Sequence, residues 1–329
     1  MITPLLVHSN YSFFFGAIPP RLLAAEAARL GYGSIALSDR DGVYGIPVFL
    51  EAVRDEGLRG MVGAEISYEG GSCLLLAKDR RGFSSLSRLL TARKAGDARK
   101  AGDTHAVKAR ACAGNTPGND ELCERSGIAR RLEADAEGLI ALSDDPLLLS
   151  VWRGRADRRA LLRRSAPRSW KRLLASGVPP AAAAEVSFLR KEDREVQRLL
   201  IAIGRRATVW DVADGELSSP LALLDEPDLV AKAYAEIPEA IEGNEAVTDA
   251  CRFHDLFEGW LFPAWPSDHP GGSLGLLRDL VMAGARAKKG ALSPELAARI
   301  DYELGIIGEK GFADYFLIAR DIIRRASRI

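Results

Sequence analysis

Residue types that could do chemistry are scarce in this chain of 329 residues. The four histidines are too few for a metal centre built largely from imidazole, and the four cysteines show no C-x-x-C spacing. These residues are His8, His105, His254 and His269, and Cys73, Cys112, Cys123 and Cys251. A zinc knuckle, a thioredoxin-type pair and a dense disulfide framework are therefore disfavoured, and a reducing, cytoplasmic setting is expected.

One segment is strongly basic, although the chain as a whole carries 45 basic and 45 acidic residues. Residues 153–173 contain nine Arg or Lys and one Asp, with Trp152 and Trp170 beside or within the run. Phosphate contact with some base stacking is one interpretation. The other is a solvated helix face whose arginines pair with acids such as Glu133 or Asp135. The candidate nucleic-acid contacts are Arg153, Arg155, Arg158, Arg159, Arg163 and Arg164.

The elements that would position such residues alternate along the first ninety positions. Short apolar runs at 5–8 and 34–39 alternate with amphipathic stretches, which predicts βα units around a parallel sheet. The polar stretch 94–133 predicts an irregular surface insertion. Apolar runs resume at 138–152, a basic helical region follows, and a last strand is predicted near 181–189, completing about seven strands.

Beyond residue 224 the strand signals disappear and helical periodicity takes over. A Gly/Ser/Pro-rich stretch at 212–220 indicates a boundary between a domain over 1–210 and an all-helical unit over 225–329. Ser293 and Pro294 predict a helix start. The amino terminus lacks a signal-peptide pattern, and no uncharged apolar run reaches the ~18 residues of a membrane span.

Four local features carry a resemblance to a known family. They are His8 with Ser9 and Ser12, the turn 38–41, the run 62–65, and the last strand around Glu185. They resemble the PHP domain of bacterial C-family DNA polymerases, the DNA polymerase III alpha subunits and their error-prone relatives. Residues 303–318 resemble the helical stretch that leads into the polymerase palm in that family. The resemblance implies an α/β fold, a distorted seven-stranded βα barrel followed by an all-helical lead-in.

In that family the barrel mouth can hold up to three metal ions, which clamp phosphate and deprotonate water. Here Leu6, Phe15 and Arg40 stand where ligands are expected, as does Ser72 or, with a shift of one residue, Cys73. At the last strand the ligand motif becomes residues 184–187, Ala-Glu-Val-Ser. The remnant positions are His8, Asp39, Arg40, Glu65 and Glu185. Arg40 would repel a cation and could pair with Glu65 or Asp39.

The expected function is therefore that of a non-catalytic scaffold in DNA replication or repair synthesis, without metal or other cofactor. The palm aspartates of the resembling polymerases are also missing, so a fragment or half of a split polymerase is expected. Expected partners are the palm and fingers region or a proofreading exonuclease; DNA is possible and a membrane is not. The alternatives are a weak phosphoesterase or 3′–5′ exonuclease using Mn, Zn or Mg, and an adaptor acting through residues 153–173. Apolar residues near Tyr315, Phe316 and Ile322 predict dependence on a partner.

Overall fold

A computed structural model of the chain describes residues 1–68, 71–102, 136–152, 157–253 and 263–327. Seven strands in this part of the chain form one mixed sheet in the order β1-β7-β6-β5-β4-β3-β2. Strand β4 runs antiparallel to both neighbours, and the other paired strands are parallel. The strands are β1 (Pro4–Val7), β2 (Ser34–Leu37), β3 (Arg59–Tyr68), β4 (Gly71–Ala77), β5 (Leu139–Ser143), β6 (Asp157–Arg163) and β7 (Pro180–Val186).

The two edge strands of this sheet approach each other, so the sheet is a nearly closed barrel. The Ser38 backbone N–H donates to the Val7 carbonyl at 2.9 Å, and the Val7 N–H donates to Ser38 Oγ at 2.8 Å. At the other end, the Thr3 and Ser34 hydroxyls lie 2.7 Å apart. The predicted seven-stranded barrel is confirmed.

Helices surround the barrel because the strands are apolar on both faces. Alternate strand residues, including Leu6, Met61 and Leu74, form one buried cluster, and their neighbours Ala64, Ile66 and Leu75 pack in a second cluster with helical residues. The helices of this unit are α1 (Pro20–Arg29), α2 (Ile46–Asp55), α3 (Arg80–Gly102), α4 (Pro146–Val151), α5 (Trp170–Leu174), α6 (Asp193–Arg205), α7 (Pro227–Lys232) and α8 (Pro238–Ala250).

Three local predictions are corrected by these elements. Residues 94–102 continue helix α3 instead of forming an irregular loop, because the alanines and basic residues there favour helix. The rest of the 94–133 segment lies outside the described residues. The basic region expected to be helical contributes strand β6, whose central residues 160–162 are buried in the sheet. The apolar run at 147–151 is helix α4, which starts where the Leu147 N–H donates to Asp145 Oδ1 at 3.0 Å.

The compact unit that contains the barrel extends beyond the boundary expected at 210–225. It comprises Met1–Leu256, and a second unit comprises Phe257–Ile329. The supposed linker at 212–220 is packed, since Val212 and Leu217 are buried. The residues after it contact the barrel, where the Ser187 N–H donates to the Ala222 carbonyl at 2.9 Å.

Helix α8 also belongs to the barrel unit, although the sequence assigned it to the helical lead-in. The buried Asn244 amide donates to the Thr3 and Ala182 carbonyls, both at 2.9 Å, and accepts the Thr3 N–H at 2.8 Å. These bonds tie the helix to β1 and β7. This helix is therefore part of the barrel's outer layer, because the Asn244 side chain pairs with backbone groups of the barrel.

The second unit is helical in its described residues, with α9 (Gly272–Lys289), α10 (Pro294–Glu309) and α11 (Ala313–Ala326). The predicted cap is present, since the Leu296 N–H donates to Ser293 Oγ at 3.3 Å. Leu277, Leu304 and Leu317 are buried at its centre. Tyr315, Phe316 and Ile322 are exposed. Within the described residues, no helix is both long and apolar enough to cross a membrane.

Candidate active site at the barrel mouth

The polar residues singled out in the sequence meet at one end of the barrel. His8 and Asp39 follow strands β1 and β2, and Glu65 lies within β3 next to them. Because parallel strands end on the same side of a barrel, side chains at their carboxyl ends converge there. This end is the mouth of the barrel.

Glu65 is the centre of the mouth and is only 1% exposed. Its Oε2 lies 3.0 Å from His8 Nε2 and accepts Arg40 Nε at 3.2 Å. Its Oε1 accepts Ser72 Oγ at 2.7 Å and Arg163 Nη2 at 3.3 Å. A carboxylate offers about four lone-pair sites, so four protein groups occupy the hydrogen-bonding capacity of Glu65.

These neighbours keep Glu65 ionised. Burial alone would raise the pKa of Glu65, but the interactions with His8, Arg40 and Arg163 outweigh it and hold that pKa well below its usual value. A buried carboxylate with two guanidinium partners is a charge-assisted cluster. Arg40 and Arg163 therefore supply the positive charge beside Glu65 that a metal ion would otherwise supply.

Arg163 lies at the end of strand β6, and the expectation that it belongs to a helix facing solvent or phosphate is wrong. Its side chain is 15% exposed and reaches into the mouth, where Nη2 donates to Ser72 Oγ at 2.9 Å. It also pairs with Asp144 through Nε at 3.0 Å and lies 3.9 Å from Glu185. Three carboxylates around one guanidinium raise the pKa of Arg163 despite its burial.

Asp39 is held by a different set of donors. Its Oδ1 accepts the Ser9 N–H at 2.6 Å and Ser12 Oγ at 2.7 Å, and its Oδ2 accepts Ser9 Oγ at 2.8 Å. Burial raises the pKa of Asp39, opposed by these hydrogen bonds. Of the two acids that the sequence offered as partners for Arg40, the structure places Glu65 against the guanidinium.

His8 is packed as well as hydrogen-bonded. Its Nδ1 lies 3.1 Å from Ser187 Oγ, and the Phe15 ring meets it edge-on with ring centroids 5.3 Å apart. The Arg40 guanidinium lies 3.7 Å above the centre of the same Phe15 ring. Phe15 and Ser187, which replace expected ligands, thus fix His8 and Arg40 in place.

A buried polar chain supports this arrangement and was missed from the sequence. Ser218 Oγ donates to Ser187 Oγ at 2.9 Å, and Gln197 Nε2 donates to Ser218 Oγ at 3.1 Å and to the Phe15 carbonyl at 3.2 Å. Ser218 lies in the supposed linker. The one signal for it was the pair of serines at 218–219 shortly before the apolar run 221–224.

The alternation of side chains along strand β4 separates Ser72 from Cys73, the two candidates for one expected ligand position. Ser72 points to Glu65, whereas Cys73 points the opposite way into the apolar layer, where burial raises the pKa of its thiol. Leu6 is fully buried in the apolar cluster. Glu185 is close to the mouth but at its edge, where Ser165 Oγ donates to it at 3.2 Å.

The mouth opens into a cavity of about 950 Å³ whose lining includes Arg40, Glu65, Ser72, Asp144 and Arg163. In the described part of the chain, no group of three or more His, Cys, Asp or Glu side chains could hold a metal ion. The described residues therefore do not fit the metal cluster that the resemblance implies, because guanidinium groups already contact the Glu65 carboxylate.

Within the protein, three more arginines of the basic segment have partners. Arg164 pairs with Asp225 at 2.8 Å and is 12% exposed. Arg158 donates to the Leu149 carbonyl, and Arg159 lies 3.7 Å from Asp157. Arg153 and Arg155, and the acids Glu133 and Asp135, lie outside the described residues.

Comparison with protein families agrees with this geometry. Residues 5–173 match the PHP domain, which covers β1 to α5 and so contains Glu65 and its four partners. The chain belongs to the PHP family. Residues 275–329 match the family described as the bacterial DNA polymerase III alpha NTPase domain, over the helical second unit of this PHP protein.

Relatives of this PHP protein match almost its whole length. It is 30% identical to an error-prone DNA polymerase of Symbiobacterium thermophilum over 97% of the chain, and 27% identical to the DNA polymerase III subunit alpha of Bacillus subtilis over 98%. It spans 31% and 29% of those proteins, matching their amino-terminal regions. A solved amidohydrolase from Chromobacterium violaceum shares 17% identity, with 63% of this chain and 84% of that chain covered at a TM-score of 0.29.

Proposed function

We propose that this protein is a structural PHP module of a DNA polymerase III alpha-like protein acting in DNA replication or repair synthesis, and that its barrel mouth does no catalysis. The proposal rests on one observation above all. The buried Glu65 carboxylate is enclosed by His8, Arg40, Ser72 and Arg163, at distances of 2.7 to 3.3 Å.

The chemistry of this cluster supports a structural role. Metal-assisted phosphate ester hydrolysis needs open coordination positions at which a water and a phosphate oxygen can bind together. Here the acceptor oxygens already have protein donors, and two guanidinium groups add positive charge where a cation would sit. Dismantling the cluster to admit a metal would leave Arg40 and Arg163 without their shared carboxylate, which is costly in a buried site.

The setting of the module comes from its relatives, which are named as DNA polymerases. A PHP module within such a protein would brace the polymerase region that lies beyond the aligned third. In that setting a palm and fingers region is the proposed partner, and a proofreading exonuclease is a further one. The exposed Tyr315, Phe316 and Ile322 side chains support the need for a partner at the helical unit.

The test is a thermal-shift titration of the full chain with Mn²⁺ and Zn²⁺, paired with hydrolysis of single-stranded DNA and bis-p-nitrophenyl phosphate. We expect no metal-dependent rise in melting temperature and no hydrolysis above buffer. A native-state metal site must raise the melting temperature by mass action. The proposal is refuted by a metal-dependent rise accompanied by hydrolysis, both lost in Glu65→Gln.

Glu51→Gln is the matched control for this test, since Glu51 is an exposed carboxylate of helix α2 that pairs only with surface groups in the described structure. If Glu65→Gln and Glu51→Gln both abolish the metal-dependent rise in melting temperature, that rise comes from nonspecific attraction of the metal to acidic side chains. If both variants keep the rise, the metal binds at another site. Either result leaves the mouth without metal chemistry. A salt-dependent DNA interaction without hydrolysis would instead favour the adaptor function, to be mapped with Arg158 and Arg159 variants.

A further inference from the structure

Helix α6 presents an apolar stripe to solvent on the side opposite its buried face. Val196, Leu199 and Ile203 are 45%, 49% and 55% exposed, while Gln197, Ile201 and Ala202 face the barrel unit and are buried. The spacing of three and four residues is that of a helix seam in a coiled coil. Three large aliphatic side chains exposed in one row form a contact surface that the monomer leaves uncovered.

The stripe continues onto neighbouring parts of the same unit. Leu22 of helix α1, 53% exposed, lines a common cavity with Val196. At the other end Phe14 packs on Gly204, where a Cβ would lie 2.7 Å from the Phe14 Cβ, and Phe14 is 57% exposed. Phe14 adopts a left-handed backbone conformation with φ of 58°, which is unusual for a bulky residue.

Opposite charges lie at the two ends of the stripe. Glu192 is the N-cap of helix α6, four residues before Val196, and Arg206 is its C-cap, three residues after Ile203, with a left-handed φ of 55°. Both are exposed, and within the described residues neither has an ion-pair partner. The arginines within the helix are paired: Arg194 and Arg198 with Asp214, and Arg205 with Glu216.

We propose that this face binds the same face of a second copy of the chain, with the two α6 helices antiparallel about a two-fold axis. In that register Leu199 lies beside its own symmetry mate and Val196 lies opposite Ile203. Glu192 of each copy lies opposite Arg206 of the other. The same surface thus supplies both halves of the contact, as an isologous dimer requires.

The charges favour a second copy over other occupants. A uniformly acidic or basic partner would leave one end of the stripe opposite a like charge, whereas an inverted copy neutralises both ends. A nucleic acid would need several unpaired cations along the surface, whereas the row from Val196 to Ile203 exposes aliphatic side chains. The two Glu192–Arg206 contacts in each dimer therefore favour both the antiparallel orientation of the helices and a second copy as the partner.

The first experiment is a disulfide cross-link at the symmetry axis, in the full chain with Cys112 and Cys123 replaced by serine. Leu199→Cys places two thiols against each other in the proposed dimer and should give a covalent dimer under mild oxidation. Leu229→Cys is the control, since Leu229 is equally exposed, at 54%, but lies on helix α7 outside the stripe. Equal cross-linking of both variants, or none of Leu199→Cys, would overturn the proposal.

The second experiment is a charge exchange measured by light scattering and sedimentation equilibrium. Glu192→Arg and Arg206→Glu should each weaken dimerisation about tenfold, because symmetry turns two ion pairs into two like-charge contacts. The double variant should regain the affinity of the parent. Unchanged melting temperatures would show that the folds are intact. A parent chain that stays monomeric at about 100 µM, roughly the dissociation constant of a weak complex, would refute the dimer.

Discussion

Replacing Arg163 by methionine is expected to destabilise the barrel by roughly 3–5 kcal/mol, the cost of removing one partner from a buried ion pair. Methionine keeps an unbranched apolar stem and removes the charge. Three carboxylates then lose a shared cation: Glu65 at 3.3 Å, Asp144 at 3.0 Å and Glu185 at 3.9 Å. Ser72 also loses a donor at 2.9 Å.

The distances show why the effect should be large. At an effective dielectric constant of about 20, one pair of unit charges 3.3 Å apart interacts by about 5 kcal/mol, before desolvation is subtracted. Glu65 has 1% exposure and cannot regain that energy from water. The remaining cation beside it, Arg40, compensates only part of the loss.

The assay is equilibrium unfolding in urea followed by tryptophan fluorescence. Trp210, Trp260 and Trp265 are replaced by phenylalanine, so that only Trp152 and Trp170 of the barrel unit report. Trp152 is 1% exposed and therefore sensitive to opening of the barrel.

Arg172→Met is the matched control for this prediction. Arg172 lines the same cavity but is exposed, so its loss should change stability by no more than about 0.5 kcal/mol. A change below about 1 kcal/mol for Arg163→Met, or equal changes for both variants, would refute the view that the mouth is held by this ion-pair network.

Two further predictions concern pH and packing. Glu65→Gln should lower the free energy of unfolding by roughly 3–5 kcal/mol at pH 7. The folded-state pKa of Glu65 lies well below 4.5, its ordinary value. The ionised carboxylate therefore stabilises the fold fully above about pH 4.5, and this stabilisation is lost as the pH falls through the folded-state pKa. Urea unfolding from pH 7 to 3 should show a constant difference from the parent down to about pH 4.5 and a shrinking one below it; a constant gap throughout would contradict the assignment. Gly243→Ala should lower the melting temperature sharply, because its Cβ would lie 1.9 Å from the Pro180 carbonyl oxygen, whereas Gly284→Ala, with open space around its Cβ in helix α9, should stabilise by about 0.5–1 kcal/mol. Calorimetry that ranks the two glycine variants the other way would show that α8 does not pack on β7 as described.

Much of the site was visible in the sequence because its residues follow recognisable strands. His8 and Asp39 follow apolar runs and Glu65 lies within one, and the resemblance to the PHP domain implied that the three meet at one end of a barrel. The possible pairing of Arg40 with Glu65 also followed from charge. The absence of metal and of catalysis stays a prediction.

Arg163 could not be placed in the same way. Its segment contains three central apolar residues between arginines, too short a run to distinguish strand from helix by period. Helix periodicity would have put the arginines on a solvated face, whereas the pleat of β6 turns Arg163 into the mouth. The boundary between the barrel unit and the helical unit was also misplaced. The Ser- and Gly-rich stretch at 212–220 has the composition of a linker, and composition does not show whether a stretch packs on the fold.

By itself the sequence determined the alternation of strands and helices, the change to helices after residue 224, and the kinds of side chain that follow each strand. These depend on short-range periodicity, which a linear pattern carries. Only the tertiary structure decided which charges meet. Arg163 and Glu65 are 98 positions apart, and closure of the barrel brings them within hydrogen-bond distance. Partners so distant along the chain leave no local pattern, because their contact exists only when the intervening strands have paired.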